Sequence, residues 1–396
     1  MPKKTVADVD VKGKRVLLRV DFNVPLNRNS GAISDDTRIR ASLPTIKYLI
    51  DHKAKVIICS HLGRPEGKVV ESLRMTAVAH RLSQLMGLPV STASDCIGPE
   101  AESKALALKE GGILVLENLR FHPEEEKNEA GFARKLAKLA DVYVNDAFGT
   151  AHRAHASTVG VAKYLPAVAG FLMNKELKVM EKLLHNPERP SACLIGGAKV
   201  SDKMELLQNM LRKVDALLVG GGMAATFLKA QGYEVGRSLV EDDKLDLARK
   251  LLREAKEWKV PFLFPIDAVV AHEIKAGAST RVVPTTSVPA GSHIVDIGPK
   301  SIVLFQNELK KCRTIMWNGP MGIYEMPGFA QGTRAMASFL STLDATTIIG
   351  GGSSAEVVQE MGLADKMTHV STGGGASLRF LEGATLPGVE VLLDTK

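Results

Sequence analysis

The chain has 396 residues, of which 45% are hydrophobic, and a formal net charge of +7. A chain of this length is expected to form two domains with full-sized cores. No apolar run reaches the roughly eighteen residues of a membrane span, and the N-terminus lacks the apolar stretch of a signal peptide. We therefore expect a cytoplasmic protein. The four cysteines are scattered without a CxxC pair, which argues against a zinc site or a disulfide framework.

Short apolar β-type runs alternate with longer amphipathic stretches. The runs lie at 15–20, 55–60, 112–119 and 141–148 in the first half, and at 192–197, 216–222, 261–265, 314–319, 346–352 and 368–375 in the second. Helical patterns lie between them, for example at 202–214 and 243–258. This alternation predicts an α/β fold with doubly wound parallel sheets. Ligands of such sheets bind at the carboxyl ends of the strands, so the residues that follow each run are the functional candidates.

A helix is also predicted between the two halves of the chain, over 171–192. Its apolar positions Leu177, Met180, Leu183 and Leu184 fit one helical stripe, and the sequence NPERP ends it. We interpret this stretch as a linker helix between two domains.

The strand ends of the two halves carry different chemistry. Those of the first half lead into acids, arginines and histidines: RVDFNVP, SHLGRP, ENLRFHP and NDAFGTAHRAHAS. Those of the second half lead into glycines: GGAKVSDK, GGGMAATF, GGGSSAE and GGGAS. The first set suits a small, highly charged anion. The second presents bare backbone to a bulky phosphorylated ligand.

Two other classes of protein fit parts of this pattern. A nicotinamide dehydrogenase would also use doubly wound sheets, but GGGMAATF lacks the GxGxxG spacing and the acid about twenty residues further on. A nucleic-acid binder would suit the sequence pI of about 9.1. However, the arginines are dispersed, and aromatic residues make up only 5% of the chain, which leaves few stacking platforms for bases.

Seven motifs together resemble the motif series of the phosphoglycerate kinase family, in that family's order: RVDFNVP, SHLGRP, LENLRF, NDAFGTAHRAHAS, GGAKVSDK, WNGPMGIYE and STGGGASL. The resemblance implies reversible phosphoryl transfer from 1,3-bisphosphoglycerate to ADP, giving 3-phosphoglycerate and ATP. It also implies direct in-line transfer when two Rossmann-like domains close about a linker helix and hinge. Magnesium bound with the nucleotide, small-molecule substrates only and a monomeric state are further expectations.

The resemblance sets the expected domain boundaries. A 3-phosphoglycerate-binding domain is expected at 1–170, followed by the linker helix at 171–190. The nucleotide-binding domain is expected at 191–381. The final segment, 382–396, is expected to return to the N-terminal domain.

The candidate substrate-binding residues on the glycerate side are Asp21, Asn23, Arg38, His61, Leu62, Gly63, Arg64, Arg120 and Arg153. Arginines pair with phosphate and carboxylate oxygens, whereas Asp21 and Asn23 can receive the substrate hydroxyl. The resemblance singles out Arg38 as the arginine that faces the transferred group.

Three further histidines are interpreted as non-catalytic. Transfer to an ionised carboxylate needs no base, so we interpret His152 and His155 as supporting or substrate-facing residues. We interpret His122, which precedes a proline, as structural.

The candidate nucleotide-binding residues are Gly197, Lys203, Gly220, Gly221, Gly298, Pro320, Ile323, Glu325, Gly351, Gly352, Ser353 and Ser354. Pro320 and Ile323 would be apolar walls, and the resemblance gives Glu325 the ribose hydroxyls. Lys199 and Lys203, four residues apart, would share one face at the start of a helix. Together with Arg38 they are the catalytic candidates, because cations there can follow the charge of the transferred group.

Ser353 is a departure from the family pattern. The matching position is usually an aspartate that helps to hold magnesium. We expect the chain still to use Mg²⁺–nucleotide, with the metal held chiefly by the phosphates and water, and with the hydroxyl of Ser353 or Ser354 completing its shell. Glu356 is an alternative outer-shell acid.

Overall fold

The computed structural model of the protein describes residues 2–27 and 30–395. The chain divides into two compact units. Unit 1 comprises Met1–Lys178 with Thr385–Lys396, and unit 2 comprises Val179–Ala384. Within the described residues, none of the helices combines the length and the apolar character needed to cross a membrane.

Unit 1 is built on a six-stranded parallel sheet with the strand order β3-β4-β2-β1-β5-β6. The strands are β1 (Arg15–Arg19), β2 (Lys55–Cys59), β3 (Val90–Thr92), β4 (Ile113–Val115), β5 (Val142–Asn145) and β6 (Ala167–Ala169). Arg19 at the end of β1 lies opposite Cys59 of β2 and Asn145 of β5. The loops that follow these strands therefore meet at one edge of the sheet.

The helices that precede the linker are α1 (Thr37–Asp51), α2 (Thr76–Met86), α3 (Pro99–Ala107), α4 (Pro123–Glu126) and α5 (Ala130–Ala137). The central strands are buried on both faces, as expected when helices cover a parallel sheet. Leu17, Leu18, Ile57 and Ile58, for example, have no solvent exposure.

Helix α6 (Phe171–His185) crosses the division between the units. Its first turn is held by Asp146, which follows β5. The backbone amides of Leu172 and Met173 donate to Asp146 Oδ1 at 2.9 and 3.2 Å, which satisfies donors that have no partner within the helix. Asp146 is fully buried, and burial raises its pKa to about 6 in spite of these hydrogen bonds.

Unit 2 contains a six-stranded parallel sheet, β15-β14-β13-β7-β8-β9, and a three-stranded antiparallel sheet, β11-β10-β12. Its strands are β7 (Ser191–Ile195), β8 (Ala216–Val219), β9 (Phe262–Leu263), β10 (Asp267–Ala271), β11 (Thr280–Pro284), β12 (His293–Ile297), β13 (Thr314–Asn318), β14 (Thr346–Gly350) and β15 (His369–Val370). Its helices are α7 (Met204–Leu211), α8 (Met223–Ala230), α9 (Leu245–Glu257), α10 (Pro299–Leu309), α11 (Gln331–Leu340), α12 (Gly352–Glu360) and α13 (Gly375–Leu381).

The chain then ends in unit 1, where it forms α14 (Pro387–Glu390). The amide of Gly388 donates to the Ala151 carbonyl at 2.9 Å, and the amide of Lys4 donates to the Leu393 carbonyl at 2.7 Å. The side-chain amide of Asn145 donates to the Gly388 carbonyl at 3.1 Å. These bonds tie the last residues to the carboxyl end of β5 and to the N-terminal segment.

The predicted α/β class with two parallel sheets is confirmed, and each apolar run predicted to form a strand contains one. The sequence analysis missed β3, β6 and the antiparallel sheet. Two of these strands, β3 (VST) and β11 (TRVVP), are mostly solvent-exposed and therefore lack an apolar run. Helix α6 ends at His185, immediately before the NPERP sequence.

We expect the stability difference between the wild type and Asp146→Asn to depend on pH. The pKa of Asp146 is about 6 in the folded chain against its ordinary value of 3.8, so burial favours the protonated form. That contribution is complete below about pH 4 and is lost as the pH rises through about 6. Asparagine keeps the acceptor oxygen and does not ionise.

Denaturant titrations should show the free energy of unfolding of the wild type, relative to the variant, falling by on the order of 3 kcal/mol between about pH 4 and pH 6. The exposed Asp365 provides the matched control, and Asp365→Asn should show no such trend. A pH-independent difference for Asp146→Asn would contradict the assignment of a buried, ionisable cap.

Candidate active site

A cluster of cationic side chains surrounds His61, which lies two residues beyond β2 and is 4% exposed. His61 Nδ1 lies 3.3 Å from Arg19 Nη2 and 3.9 Å from Asp21 Oδ1. Burial, together with nearby positive charge, holds the pKa of His61 well below its usual range. The charges belong to Arg19, Arg120, Arg38 and Arg153. The structure thus brings together three predicted arginines, His61 and Asp21.

Arg19 is the site residue that the sequence analysis missed. It is only 1% exposed; its Nε donates to Ser157 Oγ at 2.8 Å, and its Nη1 donates to the Val20 carbonyl. The amide and hydroxyl of Ser157 donate to the buried carboxylate of Glu125 at 2.9 and 2.6 Å. A buried acid therefore offsets part of the arginine charge across Ser157. The available signal was the position of Arg19 at the end of a strand, at the start of RVDFNVP.

Asp21 orients Arg38. Asp21 Oδ2 accepts a hydrogen bond from Arg38 Nη1 at 2.6 Å, and Arg38 lies in the first turn of α1 with its side chain 36% exposed. The guanidinium is therefore held in one direction while part of it still faces solvent. This is the arrangement required of a cation that meets a ligand.

Asn23 and Gly63 shape the loop after β2. Asn23 Oδ1 accepts from the Gly63 amide at 2.8 Å. Gly63 has φ of +64°, and a Cβ there would lie 2.8 Å from Leu73 Cδ2, so the SHLGRP loop requires glycine at this position. Leu62 is buried, and its amide donates to Asn118 Oδ1 at 3.2 Å. Leu62 therefore contributes packing to this loop.

The remaining arginines differ in exposure. Arg120 is 4% exposed; its Nη1 donates to the Gly63 carbonyl at 3.0 Å, and its Nε lies 3.2 Å from Glu126 Oε1. Arg153 Nε donates to His152 Nε2 at 3.2 Å. Arg64 is exposed, and its side chain has no hydrogen bond or ion pair with any residue in the described ranges. Arg64 is thus available to a ligand.

His155 lies beside the arginine cluster and the buried Glu125. Its Nδ1 lies 3.9 Å from Glu125 Oε1. Burial and the nearby Arg120, Arg19 and Arg153 lower the pKa of His155 to about 4. A neutral imidazole at this place adds no further positive charge to a crowded cationic site, in agreement with a supporting role.

Unit 2 contains a cavity of about 430 Å³ beside the loops that follow β7, β8 and β13. This volume is within the range of small-molecule sites. The predicted nucleotide-side residues that line it are Gly197, Gly221, Pro320, Ile323, Glu325 and Ser353. Apolar side chains that were not predicted also line it, among them Leu228, Leu239 and Met321.

Two glycine turns form part of the cavity wall. Gly221 has φ of +69°, and a Cβ there would lie 2.6 Å from the Gly197 amide nitrogen. The loops after β7 and β8 therefore pack backbone against backbone, and only glycine permits this approach. The result is a flat surface against which an aromatic ring can lie.

Several other predicted residues do not line the cavity. A Cβ on Gly220 would lie 2.5 Å from Met321 Sδ, and one on Gly298 would lie 2.4 Å from the Asp267 carboxylate carbon. Both glycines thus allow close internal packing. Ser354 is fully buried, and its Oγ accepts from the Gly319 amide at 2.7 Å.

The expectation that Lys199 and Lys203 share a helical face is wrong. Helix α7 begins at Met204, because the glycine-rich segment after β7 continues as bends and turns. Lys203 Nζ donates to Asn318 Oδ1 at the end of β13, and burial lowers the pKa of Lys203. Lys199 is exposed, and its side chain contacts no hydrogen-bonding or charged partner within the described chain.

Asn318 places Lys203 beside the glycine loop that precedes α12. A Cβ on Gly351 would lie 3.2 Å from Asn318 Oδ1, and Gly351 has φ of +83°. The ammonium group of Lys203 is therefore near the N-terminus of a nine-residue helix. A lysine and free helix amides together favour phosphate.

Ser353 lies at the polar edge of the cavity. The Tyr324 hydroxyl donates to Glu356 Oε2 at 2.8 Å, so Glu356 already has a donor. Tyr324 and Ser353 both line the cavity.

One unit thus offers side-chain cations, and the other offers a glycine-walled cavity with a lysine at a helix N-terminus. Cationic side chains and a lysine at a helix N-terminus are both features of sites that handle phosphorylated ligands.

Comparisons with known proteins identify the family. The family model described as phosphoglycerate kinase matches residues 6–384. The phosphoglycerate kinases of Pelotomaculum thermopropionicum and Moorella thermoacetica are 58% and 57% identical to the chain over 394 residues, with all of each chain covered. The structure of phosphoglycerate kinase from Coxiella burnetii has a TM-score of 0.89 at 41% identity and covers 98% of both chains. The chain belongs to the phosphoglycerate kinase family.

We expect His61 and His155 to remain neutral at physiological pH. The pKa of His155 is about 4, and burial lowers that of His61 well below 6.5. Histidine ring NMR resonances, assigned with His61→Gln and His155→Gln, should show a midpoint near pH 4 for His155 and no titration of either ring between about pH 6 and pH 8. A midpoint near pH 6.5 for either ring would contradict the described burial and charge.

Proposed function

We propose that the chain catalyses reversible phosphoryl transfer from 1,3-bisphosphoglycerate to ADP, giving 3-phosphoglycerate and ATP. The observation that carries this proposal is the gathering of Arg19, Arg38, Arg120 and Arg153 around a neutral His61. A ligand with both a phosphate and a carboxylate suits such a cluster. The proposed domains are 1–170 for the acid and 191–381 for the nucleotide, with 171–190 as the linker.

On the glycerate side, the exposed cations are proposed to contact the substrate and the buried ones to position them. Arg64 and Arg38 face solvent, whereas Arg120 is bonded to the loop that carries Gly63. We assign Arg38 to the transferred phosphoryl group, because Asp21 fixes its direction and leaves part of it exposed. Asn23 and Asp21 are the proposed partners of the substrate hydroxyl.

On the nucleotide side, the adenine is proposed to lie against Gly197 and Gly221, between Pro320 and Ile323. Glu325, which lines the same cavity, is the proposed acceptor for the ribose hydroxyls. The phosphates would then reach the N-terminus of α12, where Lys203 lies.

The chemistry needs no proton transfer by the protein. A carboxylate oxygen of 3-phosphoglycerate attacks the γ-phosphorus of ATP, and the bond from that phosphorus to the ADP oxygen breaks. Arg38, Lys203 and Lys199 are proposed to stabilise the negative charge of the transferred group. Because the reacting atoms must approach to about 3–3.5 Å, we infer that the substrate-bearing domains close during turnover.

Magnesium is proposed to accompany the nucleotide. The protein oxygens near the phosphate end fit only a loosely held ion, since Ser353 offers a hydroxyl and Glu356 accepts from Tyr324. Bound Mg²⁺ would supply positive charge to the phosphate oxygens. We also propose a cytoplasmic, monomeric enzyme whose only partners are small-molecule substrates, not nucleic acid or membrane.

Replacing Arg38 should affect turnover far more than nucleotide affinity. The rate of ATP-dependent acyl phosphate formation from 3-phosphoglycerate, followed with a coupling dehydrogenase, should fall at least about a hundredfold in Arg38→Ala. ATP affinity, measured by calorimetry, should stay within about twofold, because the cavity of unit 2 is unchanged. Arg40→Ala is the matched control, since Arg40 lies on the same helix, is 54% exposed and pairs with Asp36.

Arg40→Ala should keep near-normal turnover. Near-normal turnover of Arg38→Ala would remove Arg38 from the transfer site, and failure of the wild type to form acyl phosphate would overturn the proposed activity itself.

Replacing Ser353 with aspartate should increase the preference for magnesium–ADP over free ADP. A carboxylate at the cavity edge would add a direct ligand for Mg²⁺ and repel the free nucleotide. Calorimetric titrations with and without Mg²⁺ measure this preference. Ser353→Asn, which introduces a side chain of the size of aspartate but without charge, should leave this preference unchanged. An aspartate variant with the preference of the wild type would show that Ser353 does not face the metal.

A further inference from the structure

Three metal-ligating side chains meet at a place in unit 1 that the proposed reaction does not use. Asp95 and Cys96 lie between β3 and α3, and His122 immediately precedes α4. His122 Nε2 is 2.6 Å from Asp95 Oδ1, and the ligand atoms of all three residues lie within 4.8 Å of one another.

The fold explains why this group forms without a sequence motif. Strands β3 and β4 are neighbours and run parallel, so the loops that follow them emerge at the same edge of the sheet. The first loop carries Asp95 and Cys96, and the second leads to His122. The sequence analysis argued against a zinc site because the cysteines show no CxxC spacing, but two distant segments supply these ligands.

The donor set is a thiol, an imidazole and a carboxylate, which is typical of sites for zinc and similar cations. Cys96 has no solvent exposure, whereas the side chains of Asp95 and His122 are 46% and 25% exposed. The sulfur therefore lies at the buried end of the group, and the other two ligands lie at its solvent-exposed end. Catalytic-type zinc sites also combine three protein ligands with one open position.

For the His122–Asp95 pair, binding of a cation requires only a small adjustment. Two ligands at zinc distances of about 2.0–2.2 Å in a tetrahedral arrangement lie about 3.3 Å apart. His122 Nε2 and Asp95 Oδ1 are 2.6 Å apart and form a direct hydrogen bond. Binding of a cation would therefore increase the distance between these two atoms by less than about 1 Å. Both side chains reach solvent.

The electrostatic surroundings also favour a cation. Glu124, two residues after His122, acts electrostatically on the imidazole, and its Oε2 is buried with no hydrogen-bond partner among the described residues. The exposed Lys135 opposes it. Asp95 and Glu124 together leave an excess of negative charge around the ligand atoms.

We propose that Asp95, Cys96 and His122 bind a thiophilic divalent cation of the zinc class, with water as a fourth ligand. On binding, the Cys96 thiol releases its proton to solvent and becomes a thiolate ligand, and the ion replaces the hydrogen bond between His122 and Asp95. Since His122 lies two residues after Arg120, the ion ties the loop after β3 to the segment that carries this arginine. The site does not depend on the proposed reaction.

Cobalt titration of the full-length, nucleotide-free protein tests the proposal, with Co²⁺ alone as the probe. The wild type should show a near-ultraviolet thiolate-to-cobalt charge-transfer band that saturates at one ion per chain and disappears when Zn²⁺ is added. Cys96→Ser should abolish the band. Asp95→Asn should weaken Co²⁺ binding at least about tenfold, because even outer-shell partners of a metal cost that much.

Cys312→Ser, which alters another buried cysteine, is the matched control and should keep the band. Circular dichroism of each variant separates lost binding from lost folding, and the partly exposed Asp95 provides the test if Cys96→Ser does not fold. Absence of the band in the wild type with excess cobalt would overturn the proposal. A band that survives in a folded Cys96→Ser protein, or one that Asp95→Asn leaves at full affinity, would do the same.

Discussion

The concentration of positive charge around His61 is the constraint on which unit 1 depends. Like charges repel strongly where water is scarce, and the pKa of Arg120 is lowered by burial and by Arg153 and Arg19, against the opposing effect of Glu126. Fixed acids offset part of this cost: Asp21 holds Arg38, and Glu125 lies across Ser157 from Arg19. The site retains cationic donors without acidic partners among the described residues, and an anionic ligand would offset their charge.

The candidate site of unit 2 relies more on backbone and less on side-chain charge than the cluster in unit 1. The close approach of Gly197 and Gly221 gives a flat wall, and the cation nearest the helix N-terminus, Lys203, is held by Asn318. This difference suits the chemistry, since one substrate is a compact polyanion and the other carries a large planar ring. Both units contain a six-stranded parallel sheet and carry different chemistry in the loops after its strands.

Features that follow from the ends of strands could be predicted from the sequence. Features that depend on contacts between distant segments could not. Apolar runs located the strands, and arginines after them located the cationic site. Arg19 was not predicted as a site residue, because a charged residue within a strand gives no sign of burial and because its partners lie in distant segments. Gly298 and Ser354 matched binding motifs, and the fold shows in addition that both make close internal contacts. The Asp95–Cys96–His122 group forms because β3 and β4 pair. The spacing of these residues along the chain does not reveal that pairing.

Calorimetric titration of 3-phosphoglycerate into the nucleotide-free protein shows whether the arginine cluster is an anion site. One molecule should bind per chain, with an affinity that falls as sodium chloride is raised, because salt screens exposed charges. Uncharged glycerol should give no detectable binding under the same conditions. Equal affinity for glycerol, or a 3-phosphoglycerate affinity that does not change with salt, would contradict the account.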